Sequence, residues 1–441
     1  MSESAPTQPS VSTHAPGDGA PGRGPLAAWR RFYSTLPPAV QLIGLQLWLP
    51  VFFIILFCLC YIAAFHAPKV HDAPVALAAP AVEQAQQVEQ QLSSATRDAI
   101  AYRVVDGPDA AQDAVRSGEV VGALVFGDDP SAPPTLYTAG AHQFQAQQIV
   151  SAVFTPVFAA QGIALHQVDL APLPANDSYG MTAMYLMLSW CIGGYMVAMF
   201  IGMMGAPLLH RTRVAIIVGG AAVLSLLANF LAGPVLGAID GHFWQLVGIA
   251  FVWIIAIGLV VNGLSYFFGR FITVPALVIF VFLSIPASGA AYPTWMMPAV
   301  FDHLRPLVVG HGITEMIKHT VYGVGESFGI GFRQLVCYAV IGIVLSAVGK
   351  PWRQRREVAR ILAGKTTMMM DAQNAMREHG IEVRAEVLAK AGVPDAESEA
   401  RTLEDEDERV GDAFTNYGHP MTGYDDEVTD SADARGPRQG Q

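Results

Sequence analysis

Apolar and polar positions along this chain follow two different rhythms. Six stretches run for about twenty residues or more with almost no charge, the length a helix needs to cross the hydrocarbon core of a bilayer. They cover approximately residues 42–65, 181–208, 214–236, 243–268, 271–290 and 329–349. Between the first and second, the rhythm changes to short alternating segments. "APVALAAP" has the pattern of a strand and "VEQAQQVEQQLSSATRDA" that of a polar helix. "IAYRVVD" is a second strand, and "PDAAQDAVRSG" is a helix with Pro in its first turn and Gly past its end. "EVVGALVFG", "PTLYTAG", a helix over residues 143–162 and "HQVDLAPL" complete the series. Alternating strands and helices predict a small α/β domain with a mixed sheet.

The predicted architecture is a helical polytopic membrane protein with six spans and this α/β domain between spans one and two. Arginines orient it. Arg30 and Arg31 precede the first span, Arg211 and Arg213 separate the second from the third, and Arg270 separates the fourth from the fifth. Lys350, Arg353, Arg355 and Arg356 follow the sixth. All fall on one side, which the positive-inside rule makes cytoplasmic, with both termini inside. Arg305, Lys318 and Arg333 are the exceptions on the outer side.

The expected division is therefore a disordered N-tail (1–24), an interfacial helix (25–41), the first span (42–65) and an extracytoplasmic α/β domain (66–180). A five-span membrane domain (181–349) contains an outer re-entrant or interfacial loop (286–328). A charged cytoplasmic helix (350–392) and an acidic disordered tail (393–441) follow.

Composition agrees with this layout. Of 441 residues, 52% are hydrophobic and 14% charged, and mean hydropathy is +0.37. Soluble domains carry nearer a quarter charged residues. The net charge of −11 leaves no basic surface for nucleic acid. Cys58, Cys60, Cys191 and Cys337 all lie in apolar segments, so no disulfide framework is expected. The Ala/Gly/Arg-rich style points to a bacterial inner membrane, crossed several times.

One stretch fits neither rhythm. "SIPASGAAYPTWMMPAVFDHLRPLVVGHG", from Ser284 to Gly312, has too much Pro and Gly for one helix and too little charge for a solvated loop. Non-helical backbone at membrane depth must be buried in protein or line a cavity. Pro286, Ser288, Gly289, Tyr292, Pro293, Trp295, Met296 and Pro298 are accordingly expected to cap the outer end of a translocation path. A structural loop on the membrane surface is the competing reading.

Two segments carry a family resemblance. "DAAQDAVRSGEVVGALVF" is similar to a helix-then-strand segment, and "IPASGAAYPTWMMPAVFDHLRPLVVGHGITEMIKHTVYG" to a Pro/Gly-rich segment, of type-2 ABC permeases. The chain resembles in particular the YhgE/Pip-like group and the related yeast nitrosoguanidine-resistance family, over roughly residues 35–350. The resemblance implies a permease subunit that works as a homo- or hetero-dimer with a separate ATPase subunit. It would export or extract an amphipathic or lipid-linked substrate. The alternative is an ATP-independent scaffold or accessory factor of envelope secretion. Arg30, Arg31, Arg211 and Arg213 are the candidates for ATPase docking.

Other patterns have simpler accounts. Gly194, Ala198, Gly202 and Ala206 recur every four residues, a small-residue stripe that lets helices approach closely. Whether it faces another span or another subunit stays open. His311, Glu315 and His319 have a spacing that could hold zinc on a helix. Glycines flank the first and no fourth ligand is evident, so no metal is expected. "AGKTT" (363–367) lacks the first glycine of a nucleotide-binding loop, Ala359 standing in its place. No cofactor and no catalytic residue are expected, hence no enzyme. The spans hold no ionisable residue near their centres, which argues against proton-coupled transport.

Overall fold

A computed structural model describes residues 48–65, 70–96, 99–129, 132–204, 208–362 and 368–415. The expected tails, the interfacial helix, Arg30, Arg31, Ala206 and the "AGKTT" segment lie outside them. The chain divides into two units. One holds the sheet and the apolar helices, within residues 52–365 and 407–441; the other comprises residues 1–51 and 366–406.

In the larger unit, β1 (Ala73–Ala78), β2 (Ile100–Val104), β3 (Gly122–Val125), β4 (Thr135–Thr138) and β5 (His166–Asp169) form one sheet in the order β2-β1-β3-β4-β5. Neighbours run parallel except β3 and β4. β1 is an interior strand covered on both faces, so its residues are almost all buried, whereas edge strand β2 alternates between more and less exposed positions. On one face Val75, Leu77, Leu124 and Leu136 meet α2 (Val82–Thr96) and α4 (Gly140–Ala159) through Leu92, Val150 and Phe154. On the other, Ala76, Ala78 and Ala123 meet α3 (Gly107–Arg116) through Ala111, Ala114 and Val115. "HQVDLAPL", at the end of this region, adds β5 as a parallel edge strand beside β4 before the chain reaches the bundle.

The apolar helices that follow are α5 (Thr182–Met204), α6 (His210–Phe230), α7 (Phe243–Phe268) and α11 (Phe328–Leu362). Among the described residues, four helical stretches are long and apolar enough to cross a membrane: Thr182–Met203, His210–Val235, Phe243–Phe268 and Phe328–Arg356. α7 is central, with 67% of its apolar window buried, against 22% for the α6 stretch and 17% for α11. Trp253, Ile254, Ile257 and Val261 fill that centre. Cys60 and Cys191 are buried, Cys58 and Cys337 exposed, and none is bonded.

At the positions of the first and fifth expected spans stand two shorter apolar helices, Leu49–Ile62, whose first part is α1 (Trp48–Phe57), and α8 (Thr273–Ala287). The beginning of the first expected span lies outside the described residues. α8 starts late because Gly269 adopts φ 55° and a tight 3₁₀ turn runs on to Ile272. It ends early because the chain reverses at Gly289, where φ is 71°. At 1.5 Å per residue it is roughly 22 Å long, against a hydrocarbon core of about 30 Å. Its middle, Val278–Leu283, is a π-helical turn, and Ser284 Oγ donates to Ile279 O at 2.8 Å across it. α6 runs into a similar turn, Leu231–Val235. There Pro234 has no N–H to continue the ladder, and Leu236 N donates five residues back, to Leu231 O.

In the smaller unit lie α12 (Met368–Lys390) and most of α13 (Ala396–Thr415), tied by Arg377–Asp405 at 2.7 Å and Arg384–Glu404 at 3.1 Å. The acidic stretch expected to be a disordered tail from residue 393 is thus helical as far as Thr415. Its charges are spaced for pairing with α12 and within the helix, as Arg401–Glu397 shows at 3.1 Å.

Candidate functional site

The segment that fits neither rhythm lies between the sheet domain and the bundle. Pro286 and Ala287 end α8 buried, and Ser288 Oγ donates to Ile285 O at 2.8 Å while accepting from Ala290 N at 3.1 Å. The carbonyl of Gly289 accepts a bond from Gln143 Nε2 at 2.6 Å. Gln143 is where α4 departs from helical geometry (φ −161°, ψ 90°). Tyr292 lies 5.5 Å from the ring of Phe65, and Pro293, Met296 and Met297 are buried. Trp295 packs against the core of the sheet domain. Only Pro298 of the named residues is exposed.

The chain continues through α9 (Ala299–Leu304) into α10 (Val309–Tyr322). Every residue of α10 from Val309 to Lys318 is buried, although it carries His311, Thr314, Glu315 and Lys318. The charges are answered from three directions. Glu315 Oε2 accepts the backbone N–H of Glu326 at 2.8 Å, and the Glu326 carboxylate pairs with Arg305 at 2.5 Å and lies 3.7 Å from His311 Nε2. From the sheet domain, His142 stands over Gly118, where a Cβ would come within 2.7 Å of its ring. Gly325, at φ 113°, donates its N–H to Arg116 O at 3.0 Å, and the Glu315 carboxylate occupies the space a side chain there would need. Two cations (Arg305, Lys318) thus face two carboxylates (Glu315, Glu326).

Burial opposes the charge on Glu315, but Lys318 and the Glu326 N–H outweigh it, so its carboxyl titrates below the ordinary range. Burial draws Lys318 below the usual lysine value, with Glu315 pulling the other way. For Glu326, the nearness of His311 is the largest effect and, with Arg305, holds the carboxyl at about 2. His142 is pushed down to about 4, by burial first and then by Lys318. Unfolded His142 takes a proton near 6.5, whereas the folded imidazole resists one until about 4. Stability from this residue is therefore complete above 6.5 and lost as pH falls towards 4, by about 3 kcal/mol. Melting curves across that window should show the loss, and His142→Asn should flatten it. A slope unchanged by the substitution would contradict the assignment.

The zinc-like spacing does not converge. Eight residues along an α-helix leave a side chain about 80° out of phase, and His319 is exposed beside Phe328 while His311 and Glu315 point inward. Among the described residues no group of three potential ligands could hold a metal. Of the docking arginines, Arg211 is exposed, but Arg213 is 2% exposed. Its guanidinium lies 5.3 Å from the Tyr266 ring centre and its Nε donates to Leu208 O at 3.3 Å. Arg213 is thus a bundle residue rather than a surface contact, because its stem packs inward and the Tyr266 face takes its charge.

Along the small-residue stripe, a Cβ on Gly194 would lie 3.0 Å from Ile257, and one on Gly202 2.8 Å from Ser265 Cβ. Ala198 is fully buried. These three positions face α7. Tighter approaches lie elsewhere: a Cβ on Gly342 would meet Val260 N at 2.7 Å, and one on Gly263 would meet Leu345 Cβ at 2.6 Å. The sequence reading missed this α7–α11 crossing, although Gly342, Ser346 and Gly349 repeat a small-residue spacing.

Beside α10 lies a mainly apolar groove of about 610 Å³ between the first turns of α7 and α11. Trp244, Val252, Phe328, Phe332 and Leu335 line it, with Gln245 and Thr320 as polar members.

A family model described as "ABC-2 family transporter protein" matches residues 41–348 of this chain. No curated protein matches it, and no solved structure does.

Proposed function

Because the chain belongs to the ABC-2 family of transporter proteins, we propose that it is the permease subunit of an ABC exporter of the YhgE/Pip-like kind. It sits in a bacterial inner membrane, paired with a second permease subunit and a separate ATPase. The family usually works with an ATPase subunit. Its substrate is amphipathic or lipid-linked, and the sheet domain lies on the extracytoplasmic side.

The observation that carries the reading is the groove between α7, α10 and α11. Acyl chains need an apolar trough, and an amphipathic molecule also needs polar groups near it. This groove has Trp244, 74% exposed, and Phe332, 55% exposed, alongside Gln245 and Thr320. Met316 lines the groove and accepts the Trp253 indole N–H at 3.2 Å, tying its floor to the bundle centre. Of the capping positions, Ser288 lies against α10, where a Cβ on Gly310 would come 3.0 Å from its own Cβ. The ionisable groups of α10 are paired locally, an arrangement suited to holding a segment in place rather than relaying protons.

Gly248 gives a specific test. It lines the groove, and nothing stands within 4 Å of a Cβ built there. Gly248→Trp should fill the groove without disturbing the fold. In nanodiscs with the cognate ATPase, ATP hydrolysis stimulated by native lipid extract should fall at least tenfold, with basal hydrolysis retained. Stimulation equal to the wild type would remove the groove from the path. Purification without any ATPase under mild extraction would favour the scaffold reading instead.

A further inference from the structure

The turn between α6 and α7 encloses a second pocket, of about 340 Å³, near the lower end of ordinary ligand sites. Its side-chain polar lining consists of Asn229 and Asp240, and no Lys or Arg contributes. Asn229 is 2% exposed. Its Nδ2 turns back to donate to Ser225 O at 2.8 Å, which leaves Oδ1 as the polar atom for the pocket, and Oδ1 has no hydrogen-bond partner. A buried oxygen without a donor is costly, so the site favours a ligand that brings an N–H. Asp240 is exposed and adds a formal negative charge.

The surroundings are negative too. The Tyr322 phenol is pushed up to about 12, by burial first and then by Asp177 and Asp240. The carboxyl end of the α6 π turn and the amino end of α7 meet here, and their opposite partial charges oppose one another. The formal charge of Asp240 therefore decides the sign.

We propose that this pocket binds a primary ammonium group, with Asn229 Oδ1 and the Asp240 carboxylate each accepting an N–H. A quaternary ammonium has no N–H to give and is held by aromatic cages; Phe243 is the one aromatic residue lining this pocket. The pocket follows directly on the last apolar turn of α6, so the group belongs either to an aminophospholipid headgroup or to a soluble amine.

The test uses the full-length protein in micelles. Native mass spectrometry would compare retention of phosphatidylethanolamine, phosphatidylcholine and phosphatidylglycerol offered in equal amounts. Thermal melts would compare ethylamine with tetramethylammonium. Retention of phosphatidylethanolamine about tenfold above the other two, lost in Asp240→Asn and Asn229→Leu, would establish the lipid as the source. No lipid preference, but stabilisation by ethylamine alone that Asp240→Asn abolishes, would establish a soluble amine. Because Asp240 is exposed, its variant stays informative if Asn229→Leu folds poorly. Equal lipid retention with no ethylamine effect would overturn the proposal, as would a preference that survives both substitutions.

Discussion

Lys318→Met should lose about 3–5 kcal/mol of stability, enough to remove most folded protein from detergent extracts, because it strands a buried carboxylate. Glu315 is 2% exposed and Lys318 5% exposed, and Lys318 is the cation that offsets the burial of Glu315. Removing the ammonium leaves that carboxylate with the neighbouring imidazoles of His142 and His311 and a backbone N–H from Glu326, but with no lysine beside it. Replacing both partners together should do far less damage, since two apolar side chains of similar volume need no counter-charge. Lys318→Met/Glu315→Met should therefore melt well above Lys318→Met alone. Size-exclusion yield and melting temperature in one detergent would measure both. A double variant no better than the single would mean that the pair does not act as a unit.

Gly342→Leu should be among the most damaging substitutions within the spans, and Gly342→Ala should already cost about 1–3 kcal/mol through overpacking. The reason is backbone, not side chain. A Cβ at Gly342 meets Val260 N and Leu259 C at 2.7 and 2.8 Å, atoms that belong to the α7 helix and cannot rotate away. At Gly194 the nearest atoms, Ile257 Cβ and Cγ2 at 3.0 Å and Ile254 O at 3.1 Å, stand further off, so Gly194→Ala should cost less. Gly219 meets nothing within 4 Å, and Gly219→Ala serves as the control. Melts that rank Gly219→Ala beside Gly342→Ala would deny that the α7–α11 crossing is close.

Much of the fold was legible because local pattern and environment agree. The strand "APVALAAP" is small and apolar at every position because helices cover both faces of β1, and Pro108 with Gly118 bounds α3. The long apolar runs of α6 and α7 likewise announce themselves, since span length is set by the bilayer. α8 was harder. Its apolar run continues past the helix, and hydropathy does not register the reversal at Gly289. In the candidate site, Arg305 and Lys318 were visible only as exceptions to the charge rule. Arg305's partner Glu326 and the His142 packed beside the cluster were not visible, because contact across distant segments leaves no periodic trace. Arg213 was misjudged for a related reason: a loop arginine looks solvated until a ring such as Tyr266 is seen beside it. The Asn229 pocket escaped notice because a single Asn in an apolar run gives no sign of the space that the following turn leaves beside it.

The bond from Gln143 to Gly289 closes a gap of 146 residues. On a ribosome adding 5–20 residues per second, roughly 7–30 s pass between synthesis of the two partners. For most of that interval, once β5 has been made, the sheet domain has every strand and helix it needs but lacks Trp295 against its core and α10 against His142. Nascent chains stalled before residue 284 should therefore carry a protease-sensitive sheet domain, and those stalled beyond Gly325 a resistant one. The wedge that joins the domain to the bundle is also its completion signal during biosynthesis.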